Sequence, residues 1–331
     1  MAELPLSIAM APNPRSRAIL EGRIAPAGIA FHATPMFPSE IFWRQLKYAE
    51  FDVSEMSMSS LLIYAARGGR DWVGIPVFTT RRFFHTGIWV RKDRGIEKPA
   101  DLKGKRLGVP EYQQTAALWG RGVLQHEFGV SPTEIEWHME RTEEVSHGGA
   151  TGFKPPPGVT LHRIPPDKNI GSMLVSGELD GALHYILDTN LVDRSRIALE
   201  DRPEVRRLFP DPAAEGRRYF AKTGLFPINH GMMVRRSIAE KNPWVVLNIY
   251  NAFRDAKDRW LAQVSEAAEA HATTGLLAPD AAAALKEDPY PYGVRANRTV
   301  LETIAAYSHE QGLTPRVLAL DEVFAHNTLE V

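Results

Sequence analysis

Short apolar runs alternate with amphipathic stretches along most of the chain. Between the apolar runs, residues 39–50 and 59–67 have the 3.6-residue spacing of helices, and Phe42 and Leu46 share one stripe of the first. This alternation is typical of α/β folds with parallel sheets. In the first part of the chain the pattern predicts five strands, at 4–10, 28–33, 51–56, 72–78 and 87–91.

The same alternation starts again at Arg106. The run RLGVP predicts a strand, and residues 113–128 predict a helix with one apolar face that ends before Gly129, a C-cap candidate. Residues 141–158 contain several glycines and a run of three prolines, and they predict a long, poorly ordered loop. Further strands are expected at 134–138, 159–164 and 181–185, with a short helix at 170–177.

The last third of the chain predicts a return to the first sheet. Residues 226–235 (FPINHGMMVR) have the pattern of a strand that crosses back, and Asn242-Pro243 predicts the start of a long helix. We therefore expect two lobes: a discontinuous first lobe, 1–107 plus 228–331, and an inserted second lobe, 108–227. Open α/β sheets bind ligands at the carboxyl ends of their strands, which predicts a ligand cleft between the lobes.

Composition narrows the class of protein. The chain has 331 residues, enough for two lobes, and a formal net charge of -1, so we expect no nucleic-acid partner. No apolar run reaches the roughly 20 residues that span a bilayer, so we expect no membrane partner. Glu3 and three early prolines are unlike a signal peptide, and the chain contains no cysteine. These features predict a cytoplasmic protein without disulfides or thiolate metal sites.

Several stretches resemble one known family. KPADLKGKRLGV (98–109) is similar to the helix and crossover strand of periplasmic-binding-protein type II folds. DVSEMSMSS (52–60), GVPEYQQTAALWGRGVLQHEFGV (108–130), FPINH (226–230) and YPYGVRANRTVLETIAAYSHEQGL (290–313) together resemble the 4,5-dihydroxyphthalate decarboxylase family. The resemblance implies a two-lobed α/β protein that converts a dihydroxylated aromatic dicarboxylate, 4,5-dihydroxyphthalate, to protocatechuate and CO₂ without an organic cofactor.

Removal of CO₂ from an electron-rich ring needs cations for the carboxylates, an acid near the ring carbon and a base near the hydroxyls. His230 in FPINH is our first candidate for the proton donor and His85 the second, because imidazole exchanges protons near neutral pH. Glu55 follows an apolar strand and is the candidate base. Each also has a structural interpretation: a core or hinge histidine, or a carboxylate paired with an arginine.

Candidate substrate-binding residues fall at strand ends and at one helix start. Guanidinium groups bind carboxylates bidentately, and Tyr112, Gln113 and Thr115 precede or begin a helix whose free N–H groups favour an anion. The alternatives are surface charges for the arginines and ordinary turns and caps for the rest. The candidates are Arg15, Ser57, Arg81, Arg82, Tyr112, Gln113, Thr115 and His184.

Other chemistries lack local support. The chain has no GxGxxG fingerprint, P-loop, GxSxG elbow or HExxH motif. We expect no cofactor and no metal, although His85, His184, His230, Glu55 and Asp188 would suit a divalent ion if they converged. The competing hypothesis is a receptor that binds an aromatic carboxylate without chemistry, since the same fold serves uptake systems. A homo-oligomer is also expected; apolar residues near the C-terminus, such as Val323 and Phe324, would cover a partner or simply the first lobe.

Overall fold

The computed structural model describes residues 2–331. Eleven strands form two sheets: β1 (Leu4–Met10), β2 (Ile29–Pro35), β3 (Val53–Ser57), β4 (Trp72–Arg81), β5 (Trp89–Arg91), β6 (Arg106–Val109), β7 (Glu136–Met139), β8 (Thr160–Arg163), β9 (Gly181–Ala182), β10 (Val205–Arg207) and β11 (Ile228–Arg235). The helices are α1 (Arg17–Leu20), α2 (Pro38–Tyr48), α3 (Met58–Ala66), α4 (Thr115–Phe128), α5 (His147–Thr151), α6 (Ile170–Ser176), α7 (Pro212–Thr223), α8 (Arg236–Lys241), α9 (Trp244–Thr273), α10 (Pro279–Ala284) and α11 (Val294–Glu310). Single 3₁₀ turns lie at Phe84–Gly87, Lys92–Arg94, Pro99–Leu102, Pro132–Glu134, Leu199–Asp201, Leu320–Glu322 and His326–Thr328.

Each sheet contains one strand that runs antiparallel to both of its neighbours. The first sheet has the order β2-β1-β3-β11-β4, in which β11 runs antiparallel to both neighbours. The second has the order β10-β5-β9-β6-β7-β8, in which β5 is antiparallel to β9 and β10. Strand β1 is parallel to β2 and β3, and strand β6 is parallel to β7 and β9. The fold is therefore a two-sheet α/β architecture in which β5 and β11 are the first strands after each passage of the chain from one sheet to the other.

The position of the first crossing corrects one expectation. The prediction put the strand at 87–91 in the first sheet and made 106–109 the crossover, whereas β5 pairs in the second sheet and β6 lies inside that sheet. The chain leaves the first sheet in the turn at 82–88. Local apolar patterning cannot reveal this, because sheet membership depends on hydrogen bonds to strands far along the chain, here β9 and β10.

Helix α4 shows how local sequence prepares the site. The predicted apolar face is buried, with Ala116, Trp119, Val123 and Leu124 each at most 4% exposed. Gly129 ends the helix in the left-handed conformation, with a φ of 67° that favours glycine. The indole N–H of Trp119 donates to the carbonyl of Ile228 at 2.9 Å, which ties α4 to strand β11. The helix start is thereby held against the first sheet.

The expected loop at 141–158 is partly helical. Ser146 caps α5 by accepting a hydrogen bond from the N–H of Gly149, and Arg141 at the start of the segment is 2% exposed. The glycines and prolines indicated a loop, but a capping serine and a buried ion pair organise the segment instead. The expected strand at 181–185 is also shorter, since β9 ends at Ala182.

Candidate active site

A cavity of about 300 Å³ lies between the two sheets and is lined from both. The first-sheet side supplies residues 37–39, Phe42, Ser57, residues 80–82 and residues 229–230. Contributions from the second side are Gln114–Ala116, Arg141, His147, His184–Ile186 and Asp188. Apolar ring edges and convergent polar groups together are the usual composition of a small-molecule site.

Three helices begin at this cavity. The first residues of α2, the N-cap Ser57 of α3 and the first residues of α4 all line it. The hydroxyls of Ser57 and Thr115 are 2.7 Å apart and join the two sides of the cleft, and Thr115 also accepts from the N–H of Ser59 at 2.9 Å. Gln114 is 6% exposed, and its amide nitrogen has no hydrogen-bond partner within residues 2–331. Helix N-termini and an unpaired amide donor suit an anionic ligand.

His230 presents one edge of its imidazole to the cavity and the other to Glu55. Its Nδ1 is 2.8 Å from Oε1 of Glu55, so Nδ1–H donates to the carboxylate, and Nε2 accepts a hydrogen bond from the side-chain N–H of Asn229 at 2.8 Å. The ring also packs edge-to-face on Phe42, with 4.7 Å between centroids. Two hydrogen bonds and one aromatic contact fix the orientation of a histidine whose Nε2 side faces the cavity.

Glu55 itself is completely buried. It accepts hydrogen bonds from the N–H of Ala11 at 2.8 Å, the hydroxyl of Thr79 at 2.6 Å and Nδ1 of His230. Burial would raise the pKa of Glu55, but the hydrogen bond and charge of His230, with the bonds from Thr79 and Ala11, lower it overall. The residue is therefore an ionised carboxylate beneath the imidazole, a usual arrangement for stabilising an imidazolium.

Arg141 is a buried cation whose charge is already neutralised. Its guanidinium donates to Asp193 at 2.7 Å and to Glu111 at 3.0 Å, and it reaches across the cleft to the hydroxyl of Ser39 at 2.6 Å. Although burial alone would lower it, these carboxylates raise the pKa of Arg141 overall. The cluster ties α2 to the second sheet and leaves no net positive charge for a ligand.

His147 stands next to this cluster as a neutral imidazole. Arginine can only donate, so Nε2 of His147, 3.4 Å from Nη1 of Arg141, is the acceptor, and Nδ1–H donates to the hydroxyl of Ser60 at 3.1 Å. Burial lowers the pKa of His147 to about 4. This histidine is unprotonated at neutral pH and lines the cavity as a polar, uncharged wall.

Arg82 and His184 complete the polar lining on one side. Arg82 is exposed, lines the cavity and forms no ion pair within the described residues 2–331. Burial, with a further contribution from the charge of Arg82, lowers the pKa of His184 to about 4, so its imidazole is also neutral. Both residues also line an adjoining chamber of about 460 Å³. The available cation at the cavity is therefore Arg82.

Two predicted acid–base residues do not reach the cavity. The imidazole of His85 is fully buried, 3.1 Å from Glu215, and its ring packs on Tyr219 and Phe209. A role for His85 as proton donor does not fit this position. The interpretation of Glu55 as a base at the substrate hydroxyl is corrected in the same way, since all its bonds go to Ala11, Thr79 and His230 and it has no exposed surface.

Four predicted ligands for the carboxylates also direct their side chains elsewhere. The guanidinium of Arg15 donates to the carbonyl of Thr79 at 2.6 Å and lies 4.0 Å from the ring of Tyr290. Arg81 touches the cavity edge, but its guanidinium binds the carbonyls of residues 226 and 291 and the amide of Asn297. These two arginines hold the C-terminal segments to the first sheet, because buried guanidinium groups take the carbonyls within reach.

Tyr112 and Gln113 direct their side chains away from the cavity. Tyr112 is fully buried with Arg121 stacked 3.7 Å from its ring, and the Gln113 side chain accepts from the hydroxyl of Thr151 at 3.1 Å. Thr115, Ser57, Arg82, His184 and His230 are the predicted residues that line the cavity with their side chains or helix starts. The structure adds residues that the sequence reasoning missed: Gln114, Asn229, Phe42, Arg141 and His147.

Signals for the missed residues were present but weak. Gln114 and Asn229 are direct sequence neighbours of predicted residues. The predicted motifs therefore do line the cavity, but the prediction left out these two residues of the motifs. Arg141 and His147 fall in the segment expected to be a loop, and only long-range pairing with Glu111 and Asp193 shows that they are buried.

The five residues considered for a cleft metal do not converge within the described chain. Residues 2–331 contain one group of three His or carboxylate side chains with ligand atoms close together, formed by Glu136, His138 and His162. None of these three lines the cavity.

The periplasmic aliphatic sulphonate binding protein SsuA from Escherichia coli has a similar fold, with a TM-score of 0.57, 16% identity and full coverage of both chains. Residues 59–147 match the NMT1/THI5-like family. The fold and its cleft thus define a two-lobed α/β protein of the periplasmic-binding-protein type II class.

Two relatives identify the family. The 4,5-dihydroxyphthalate decarboxylase of Comamonas testosteroni is 34% identical over 100% of this chain and 99% of its own length. That of Pseudomonas putida is 38% identical over 187 residues, 55% of this chain and 71% of its own. The chain belongs to the 4,5-dihydroxyphthalate decarboxylase family and is a carboxy-lyase, which confirms the predicted family and fold. Within residues 2–331, no helix has both the length and the apolar content to span a bilayer.

Proposed function

We propose that this protein decarboxylates 4,5-dihydroxyphthalate to protocatechuate and CO₂, with His230 delivering the proton to the ring carbon and with no cofactor. The observation that carries the proposal is the His230–Glu55 pair, which sets an imidazole, backed by a buried carboxylate, at the edge of a cavity built for an anion. The names of the two relatives support the substrate.

The carboxylate that stays on the ring is bound by positive groups along one wall. Arg82 supplies a full charge, and the start of α4 supplies free backbone N–H groups. A helix terminus contributes about 0.3–1 kcal/mol, up to roughly 2 kcal/mol when partly buried, so Arg82 is needed for a dicarboxylate. The leaving carboxylate lies against apolar Phe42 and Phe84, where loss of its charge as CO₂ is favoured.

The proton balance requires one acid. His230 carries a proton on Nε2 once the side-chain amide of Asn229 turns its oxygen, instead of its nitrogen, toward Nε2. The ring carbon that bears the leaving carboxylate accepts this Nε2 proton, the carbon–carboxyl bond breaks, CO₂ departs, and the electron pair of that bond restores the aromatic ring. The imidazole left neutral takes a proton from water, so the net reaction consumes one proton per CO₂. Glu55 stabilises the imidazolium before the transfer. A hydroxyl para to the reacting carbon supplies electrons, and the neutral imidazole of His184 is the acceptor for its hydrogen bond.

The decisive experiment is CO₂ release by purified protein supplied with 4,5-dihydroxyphthalate, with and without a strong chelator. We expect one protocatechuate per CO₂ and unchanged turnover after chelation. His230→Gln should lower kcat by about 10²- to 10⁴-fold while phthalate, which cannot react, binds as before. Tight binding of 4,5-dihydroxyphthalate by the wild-type protein without any turnover would refute the proposal and favour a receptor; a loss of activity on chelation would refute its cofactor-free part.

Location and assembly remain predictions. We propose a cytoplasmic homo-oligomer. Its interface does not include Val323 and Phe324, because each is 2% exposed and belongs to the core of the first lobe. Sedimentation of the purified protein tests the assembly, and fractionation of the source cells tests the location.

A further inference from the structure

A second cluster of ligating side chains lies outside the cavity, on the edge of the second sheet. Glu136 and His138 belong to β7 and are two residues apart, so they lie on the same face of the strand. His162 belongs to β8, the last strand of that sheet, and is in direct register with His138. Strand pairing therefore places two imidazoles and one carboxylate side by side.

The three side chains converge on one point. Nε2 of His138 is 3.0 Å and Nε2 of His162 is 3.3 Å from Oε1 of Glu136, and the imidazole centroids are 5.0 Å apart. Zinc bonds to histidine nitrogen and carboxylate oxygen are about 2.0–2.2 Å, so two ligands of a tetrahedral ion stand about 3.3 Å apart. Both nitrogen–oxygen separations are already within a few tenths of an ångström of that spacing.

Without a cation, the three side chains are joined by one hydrogen bond. Both imidazoles direct Nε2 at the same carboxylate oxygen, but only His138 is hydrogen-bonded to it, at 3.0 Å, and His162 stands at 3.3 Å without a hydrogen bond to it. A single divalent ion that replaces both protons would bind all three groups at once. Other histidine–carboxylate contacts at the surface, such as His126 with Glu310, bring only one imidazole to one carboxylate.

Neighbouring charge does not oppose a cation strongly. The nearest strand, β6, contributes Arg106 opposite Glu136. The guanidinium of Arg106 is bound by Asp180, with 2.8 Å between Nη2 and Oδ1, and Asp180 also contacts Arg94 at 3.3 Å. Glu136 keeps its own carboxylate charge for the cluster.

We propose that Glu136, His138 and His162 form a binding site for a divalent transition-metal ion, with Zn²⁺ the best match to two imidazoles and one carboxylate. The ion joins the edge strand β8 to β7 and leaves its fourth position to water. Because His162 is half exposed, with 51% of its side chain accessible, the ion can enter from solvent. The site is independent of the cavity and of the decarboxylation proposed for it.

Binding is tested directly with metal. The full-length protein is stripped with a chelator, desalted and titrated with Co²⁺, followed by its d–d absorption, and with Zn²⁺, followed by calorimetry. We expect one ion per chain and a rise in the melting temperature on Zn²⁺ addition. Glu136→Gln, which keeps the shape of the side chain, and His162→Ala, which changes an exposed residue, should each weaken Zn²⁺ binding by at least tenfold and abolish the rise.

The matched control is His32→Ala, which removes an exposed histidine from the edge strand β2 of the first sheet. It should bind Co²⁺ and Zn²⁺ as the wild type does. If the wild type shows no saturable binding, or if Glu136→Gln and His162→Ala bind as tightly as His32→Ala, the proposed site does not exist.

Discussion

Replacing Glu55 by glutamine tests how much of the chemistry depends on the carboxylate beneath His230. The amide keeps the volume of the side chain but has one acceptor oxygen, whereas Glu55 accepts from Ala11, Thr79 and His230 through two. If the amide oxygen faces His230, the amide nitrogen faces the N–H of Ala11 and leaves that donor unpaired. If the amide is reversed, its nitrogen favours the His230 tautomer with the proton on Nε2 and removes the carboxylate partner.

The magnitude follows from these contacts. A hydrogen bond to a charged group contributes about 1.5–3 kcal/mol, and each 1.36 kcal/mol is a factor of ten in rate. Loss of the charge that stabilises the imidazolium should therefore lower kcat by about 10- to 150-fold. Because Glu55 does not touch the cavity, the affinity for phthalate should stay within about threefold of wild type. The unpaired buried donor should also cost about 1–3 kcal/mol of unfolding free energy.

Thr79→Val separates the catalytic effect from the loss of stability. It removes one hydrogen bond to the same oxygen of Glu55 but keeps the carboxylate charge and its bond to His230. We expect a loss of stability of about 1 kcal/mol with kcat within threefold of wild type. The assays are steady-state CO₂ release, phthalate binding by calorimetry and urea denaturation. Normal turnover by Glu55→Gln, or an equal loss of turnover in Thr79→Val, would refute the role of the carboxylate.

Three further predictions concern charge. Arg82→Ala should weaken phthalate binding by about tenfold, whereas Arg217→Ala, which removes an exposed arginine of α7, should not; equal affinities for all three proteins in calorimetry would place the ligand elsewhere. Burial lowers the pKa of His147 to about 4, below the value near 6.5 of an unfolded chain, so the unfolded state binds more protons as the pH falls between these values. Lowering the pH from 7 to 5 should then remove about 2 kcal/mol of unfolding free energy through this residue. The unfolding free energy of His147→Gln, measured by urea denaturation at each pH, should depend less on pH, and a slope identical to that of the wild type would contradict the prediction. Arg121 is 1% exposed and its Nη1 and Nη2 lack partners within residues 2–331, so Arg121→Met should stay within about 1 kcal/mol of wild type, and a loss above 3 kcal/mol would show that the guanidinium is paired in solution.

Much of the fold was predictable because its determinants are local. The apolar stripe of α4 and the glycine at its end are sequence features, and both appear in the structure as predicted. The strand at FPINHGMMVR returns to the first sheet as β11. Motif resemblance added the fold class and the family, which no periodicity could supply.

The crossing point and the site required long-range information. The expected boundary at 107 differs from the observed passage at 82–88 because sheet membership is decided by partners more than 90 residues away, β9 and β10. The same applies to ion pairs. Arg141 is an ordinary loop arginine in the sequence, and its burial depends on Glu111 and Asp193, which other elements bring to it.

What the sequence determined by itself was the set of chemical groups near the cleft: a histidine, arginines and a helix start, each at the end of a strand. Which of them face the ligand was decided by tertiary structure. The register between β3 and β11 places His230 opposite Ser57, two residues along β3 from Glu55. The Glu55 carboxylate therefore accepts a hydrogen bond from Nδ1 of His230 and orients the imidazole. Arg81 and Arg82 are adjacent and chemically identical, yet Arg81 donates its hydrogen bonds to backbone carbonyls, whereas Arg82 lines the cavity without an ion pair within residues 2–331. The physical reason is that Arg81 is the last residue of β4 and is buried, so its charge must take the carbonyls around it, whereas Arg82 begins the turn that follows and is exposed.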